Sequence, residues 1–129
     1  MKKNKTNAGA ELLFLLKQQR YLYHQLKNLN DRQRQLAGTN SPELVLEVIS
    51  GRRKLVEKLQ GLEGKLGPIR TNWQKLSRQI EPEHKTQALE LANQVQEIIR
   101  ELMASTPSET VQNLPLHQNW KLSELLAET

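Results

Sequence analysis

Apolar residues recur along this chain at alternating spacings of three and four positions, the heptad pattern of a coiled-coil seam. The first stretch consists of Leu12, Leu15, Gln19, Leu22, Leu26, Leu29, Gln33 and Leu36. The second consists of Val45, Val48, Arg52, Leu55, Leu59, Leu62, Leu66, Ile69, Trp73, Leu76 and Ile80. Each stretch predicts a long helix whose apolar stripe faces a partner helix.

A short polar connection separates the two stretches. Gly38 is the kind of residue that ends a helix. Ser41, Pro42 and Glu43 then supply an N-cap hydroxyl, a proline at the first helical position and an acid in the first turn. These signals predict helix one over residues 8–37 and helix two over residues 42–80. A connection this short makes the two helices an antiparallel hairpin.

Helix two contains one weak region. Pro68 cannot donate a hydrogen bond to the carbonyl of Gly64, so a kink near residues 67–68 is expected. The heptad phase continues through this region, which favours a kink over a new domain. The nearby glycines Gly61, Gly64 and Gly67 are either a flexible joint, a place of close helix approach or simply tolerated positions.

A third helix is predicted over residues 82–104, with Ala88, Leu91, Val95, Ile98 and Leu102 as its seam. Residues 1–7 are expected to be a basic disordered tail. Residues 105–129 are expected to be a C-terminal segment with short helical turns, one of them from Thr106 through Val111 to Leu114. The predicted fold is all-α: an antiparallel coiled-coil-like helical hairpin plus a shorter third helix, making a three-helix bundle, with a weakly ordered C-terminal segment.

Composition supports thin helical packing within one domain. Hydrophobic residues make up 36% of the 129 positions, with one Phe, two Trp and two Tyr, and there is no Cys. The absence of Cys excludes disulfides and fits a reducing, cytoplasmic location. The net charge is +6 over residues 1–40, +3 over 41–81 and −4 over 82–129. This distribution predicts that the third helix lies against the first two, with an acidic partner or nucleic acid as the competing explanation.

The sequence offers no catalytic, cofactor-binding or metal-binding motif. His24, His84 and His117 are scattered, and no phosphate-binding or dinucleotide-binding loop is present. No apolar run approaches the roughly 20 residues of a membrane span. We therefore expect a binding or structural protein that is not an enzyme, needs no cofactor and is cytoplasmic.

Three features point to contact surfaces. The segment from Leu12 to Leu16 is apolar all around the helix, so we expect it to contact the third helix, the C-terminal segment or a second chain. Arg52 occupies a seam position, where its aliphatic stem can be buried while its charge stays in water. The stretch around Trp120 resembles a peptide that fits a groove, or else a loosely attached tail.

The chain resembles the FlgN-like flagellar type III export chaperones over about residues 12–104. The resemblance rests on Leu12-Leu13, Leu15-Leu16, Arg20-Tyr21-Leu22-Tyr23, Leu26, Leu29, Gln33, Arg52-Arg53, Leu55-Val56, Leu59, Leu66-Gly67-Pro68, Trp73, Ile98-Ile99 and Leu102. It implies a small cytoplasmic helical chaperone that holds the C-terminal helices of hook–filament junction proteins and hands them to the export machinery. Family members are often acidic, and the pI near 9.6 departs from that pattern.

The resemblance places the client surface toward the C-terminal part of the chain. By position its candidate residues are Leu102, Met103, Val111, Leu114, Trp120, Leu122 and Leu125. Two alternatives stay open. One is a basic nucleic-acid-binding helical protein, and the small number of aromatic residues available for base stacking argues against it. The other is a structural coiled-coil adaptor. The sequence leaves open whether the chain is a monomer or a homodimer.

Overall fold

The computed structural model describes residues 3–105 and 114–128, and all of their regular structure is helical. Within these residues five helices follow one another: α1 (Lys3–Leu36), α2 (Pro42–Thr71), α3 (Trp73–Ser77), α4 (Pro82–Ser105) and α5 (Leu116–Ala127). The all-α fold class, with a helical hairpin and a shorter third long helix, is confirmed. Helix α1 begins at Lys3, so residues 3–7 belong to a helix and not to the disordered tail that we expected.

The hairpin turn follows the sequence signals closely. Gly38 adopts a positive φ of 90°, which a residue with a Cβ rarely adopts. The amide of Thr39 donates to the carbonyl of Leu36 at 3.0 Å, closing the last turn of α1. Pro42 starts α2 as predicted, but the side chain of Ser41 makes no capping hydrogen bond. The proline and the acidic first turn therefore mark this helix start without the expected hydroxyl cap.

Helix α2 ends earlier than predicted, because its backbone breaks at Asn72 and not at Ile80. Pro68 lies inside α2, and the helix continues for three residues beyond it. The side chains of Thr71 and Asn72 then each donate to a carbonyl four residues back, at 3.0 Å. Such bonds compete with the helical ladder and bend helices. The short helix α3 carries the rest of the heptad pattern.

The glycines ahead of Pro68 have room for a side chain. A Cβ added to Gly61 or Gly64 would meet nothing within 4 Å, so neither marks a close helix approach. Glu63 and Arg70 form an ion pair that spans Pro68, and both side chains are largely shielded from solvent. Burial lowers the pKa of the Arg70 guanidinium. This pair ties together the two sides of the weakest turn of α2.

Helices α1 and α4 run parallel to each other. Arg20 donates to Gln94 at 2.5 Å, and Lys27 pairs with Glu101 at 3.2 Å. Both pairs join residues 74 positions apart, so the two helices keep one register over two turns. Near their N-termini, Gly9 is buried against the ring of His84.

In the described part of the chain, four helices enclose the core. Helix α1 packs against α2 and α4, and α5 packs against the same two helices from the other side. One cluster of buried residues centres on Leu12, Leu13, Leu15 and Leu16, together with Leu62, Leu66, Leu91, Leu122 and Leu126. The segment from Leu12 to Leu16 therefore contacts the third long helix and the C-terminal segment, two of the three partners we expected. Phe14, in the middle of that segment, is left 57% exposed.

Candidate helix-binding groove

Helix α5 lies in a groove whose walls are α2 and α4. Only 12 residues long, it would be marginally helical alone in water. Leu122 and Leu126, one helical turn apart, are both buried in the cluster around Leu12 and Leu16. Leu125 is partly buried against the same cluster. The groove therefore holds a short amphipathic helix by one apolar face.

A buried polar cluster fixes the N-terminal turn of α5. The amide nitrogen of Asn119 donates to the hydroxyl of Tyr23 at 2.6 Å, and the amide of Gln19 donates to the side-chain oxygen of Asn119. All three side chains are buried. Burial raises the pKa of the Tyr23 hydroxyl, and the hydrogen bond with Asn119 opposes that rise. The cluster accepts a helix that carries an amide at this position and disfavours one that does not.

Only part of this polar cluster could be recognised in the sequence. Gln19 is a polar residue in a leucine seam, and a buried amide needs a hydrogen-bonding partner. Its partner lies 100 positions later in the chain, where no local pattern identifies it. Arg52 and Gln33 illustrate a simpler case. Both are polar seam residues of the hairpin, and the guanidinium of Arg52 donates to the side-chain oxygen of Gln33.

The candidate client residues do not form one surface. Leu102 and Leu114 are buried together in a second core cluster with Tyr23, Leu26 and Leu59, and Leu122 is buried in the first cluster. Met103 is 57% exposed and Trp120 is 49% exposed. Val111, and with it the predicted turn from Thr106, lies outside the described residues.

Among the described residues, no group of three or more His, Cys, Asp or Glu side chains could hold a metal ion. Within residues 3–105 and 114–128, no helix has the length and apolar character needed to cross a membrane.

Comparison of the chain with protein-family models, with curated proteins and with solved structures gave no significant match.

Proposed function

We propose that this chain is a non-enzymatic chaperone that binds an amphipathic helix of a client protein in the groove now occupied by α5. The observation that carries the proposal is the seating of α5 itself. The bundle buries a short helix through Leu122 and Leu126 and through the amide of Asn119. A client helix with a similar apolar face and a similar amide would satisfy the same contacts.

Length favours exchange of α5 for a client. At 1.5 Å per residue, the 24 residues of α4 span about 36 Å and the 12 residues of α5 span about 18 Å. A client helix as long as α4 would bury roughly twice the apolar area, at about 25 cal/mol per Å² before ordering costs. Against this, α5 is tethered to the groove, which gives it an effective concentration of about millimolar. A client must outcompete that tethered helix.

The resemblance to FlgN-like proteins supplies the client class for this proposal. The clients would be the C-terminal helices of hook–filament junction proteins, held in the cytoplasm before export. Leu122 belongs to α5 and would be displaced with it, whereas Leu102 and Leu114 are buried in the second core cluster. Met103 and Trp120 are exposed on the outer surface while α5 is docked.

Isothermal titration calorimetry tests the proposal. The full-length protein is titrated with a synthetic peptide that spans the C-terminal helix of a hook–filament junction protein. The matched control peptide has its apolar-face leucines replaced by Asp. We expect saturable binding of the first peptide and none of the second. Absence of binding to peptides from each junction protein would remove the proposed function.

Two variants locate the site. Leu126→Ala weakens the docking of α5. The Kd of the client peptide for the groove should therefore fall by about tenfold for each 1.4 kcal/mol of docking energy lost. Trp120→Ala should leave groove binding unchanged. If Trp120→Ala weakens binding and Leu126→Ala has no effect, the client binds the outer surface and the groove assignment is wrong.

A further inference from the structure

The outer face formed by α1 and α4 has opposite charges on its two helices. Lys17, Arg20 and His24 of α1 line a surface groove together with Gln94, Glu97 and Ile98 of α4, with a volume of about 540 Å³. A second groove of about 280 Å³ continues it past Lys17 toward Glu90. All the described residues that line the two grooves belong to these two helices. The α1 side of the face is basic and the α4 side is acidic.

Register places these charges at matching levels. Because α1 and α4 are parallel with an offset of 74 positions, Lys17 is level with Leu91, beside Glu90, and His24 is level with Ile98, beside Glu97. Among the described residues, neither Lys17 nor Glu90 forms an ion pair. Their charges are therefore available to another molecule.

The same face presents two aromatic rings. Phe14 is 57% exposed and Tyr21 is 62% exposed, and seven positions correspond to two helical turns, or about 10.5 Å. Tyr21 also lines the larger groove, next to the apolar side chain of Ile98. Exposed aromatic residues are enriched in the cores of protein interfaces.

We infer that this face binds a second copy of the chain around a two-fold axis parallel to α1 and α4. Rotation about such an axis places α1 of each protomer over α4 of the other without changing the level along the helices. Lys17 then faces Glu90 of the partner subunit, and Tyr21 lies level with the partner's Val95, one helical turn from the partner's Ile98. A two-fold axis across the helices would instead stack α1 on α1 and bring cation against cation. The charge pattern selects the parallel dimer.

The size of the face sets the strength of the dimer. Two helices packed side by side are about 20 Å wide. The shared length of α1 and α4 over residues 10–31 is about 33 Å. The resulting area, on the order of 650 Å² per protomer, is slightly below the ~800 Å² of a standard stable interface. We expect a reversible dimer that dissociates on dilution and, because ion pairs at an exposed rim are screened, in high salt.

Charge reversal tests the pairing directly. In sedimentation velocity, full-length Lys17→Glu and full-length Glu90→Lys should each be monomeric at concentrations where the parent chain is dimeric, because each homodimer contains two like-charge contacts. An equimolar mixture of the two variants should form a heterodimer, since both contacts then join opposite charges. An effect of either substitution on folding within one chain would not be repaired by mixing.

Three results would overturn the inference: a parent chain that is monomeric up to the highest soluble concentration, a dimer unaffected by either reversal, or a mixture that stays monomeric although both variants are folded by circular dichroism. Tyr21→Ala should also weaken the dimer by at least tenfold. Gln18→Ala, also exposed on α1 but outside the grooves, is its matched control. The inference does not rest on the proposed function, because α5 and its groove take no part in this face.

Discussion

The side-chain amide of Asn119 reaches the hydroxyl of Tyr23, 96 positions earlier in the chain, at 2.6 Å. Both side chains are buried, and Gln19 completes the cluster by donating to the oxygen of the same amide. This contact links the last helix to the first across the core. Leucine packing alone would tolerate small shifts of α5 along its groove. The amide fixes one position because two hydrogen bonds are satisfied only there.

Asn119→Ala should therefore loosen α5 more than its small change in volume suggests. The substitution leaves Gln19 and Tyr23 without their partner, and a buried unsatisfied polar group costs about 1–3 kcal/mol. Amide hydrogen exchange in α5 should become at least tenfold faster, while exchange in the hairpin changes little. Gln118→Ala, at an exposed neighbouring position, should leave exchange in α5 unchanged. Equal acceleration in both variants would contradict a specific role for Asn119.

Alkaline pH should destabilise the bundle through Tyr23. Burial raises the pKa of its hydroxyl in the folded state above the ordinary value of about 10. Above that pH the unfolded chain loses the proton while the folded chain keeps it, so the free energy of unfolding falls as pH rises. One pH unit above 10, the Tyr23 hydroxyl should lower the free energy of unfolding by about 1.4 kcal/mol.

Urea unfolding at pH 8 and near pH 11 measures this loss. Tyr23→Phe is the control because it removes the titrating group and keeps the ring. Its stability at pH 8 is lower, since Asn119 loses a partner, but its further loss between the two pH values should be smaller than that of the parent chain. Identical pH dependence in the two proteins would show that Tyr23 does not titrate differently on folding.

The hairpin was predictable because its signals are local. Gly38 ends one helix and Pro42 begins the next within a few residues, and short connections leave few arrangements. The break at Asn72 was not predictable from the heptads. Heptad positions show only which side of a helix is buried. The heptad phase runs on from Ile69 to Trp73 whether or not the backbone breaks between them. The break depends on side chains that bond to carbonyls four residues back.

The groove and the docking of α5 in it were harder to predict from the sequence. A 12-residue amphipathic segment has little stability of its own, so its docking depends on burial of Leu122 and Leu126 against residues from every other long helix. The heptad pattern placed Leu102 in the seam of the third helix, while the resemblance placed it on the client surface. It is buried, in a cluster that also contains Leu114 from beyond that helix.

Gly9→Ala should destabilise the chain, although alanine ordinarily favours a helix. A Cβ at Gly9 would overlap the imidazole of His84, whose Cγ would lie 2.9 Å away. Overpacking of this kind costs about 1–3 kcal/mol, which exceeds the helix-propensity gain of about 1 kcal/mol. The effect is measured as the change in urea unfolding free energy.

Two comparisons make the Gly9 experiment specific. Gly61→Ala meets no neighbour within 4 Å, so it should stabilise the chain by about 0.5–1 kcal/mol. Adding His84→Ala to Gly9→Ala should recover most of the lost stability, because the obstructing ring is gone. Stabilisation by Gly9→Ala alone, of the size seen at Gly61, would mean that α1 and α4 do not approach so closely here.

Leu102 and Met103 are adjacent candidate client residues with opposite surroundings, and this separates structural from binding effects. Leu102 is 1% exposed and Met103 is 57% exposed. Leu102→Ala opens a cavity in the second core cluster and should lower the free energy of unfolding by about 2–4 kcal/mol. Met103→Ala should change it by less than about 0.5 kcal/mol. Urea unfolding followed by circular dichroism measures both.

The different burial of Leu102 and Met103 decides what a loss of client binding means in each variant. Loss of client capture in Leu102→Ala would be explained by a loosened core, whereas the same loss in Met103→Ala would identify a direct contact, because that variant keeps its fold. A stability loss in Met103→Ala as large as that in Leu102→Ala would place Met103 inside the packing as well. In that event, of the candidate residues described here, only Trp120 would remain a large apolar contact on the outer surface while α5 is docked.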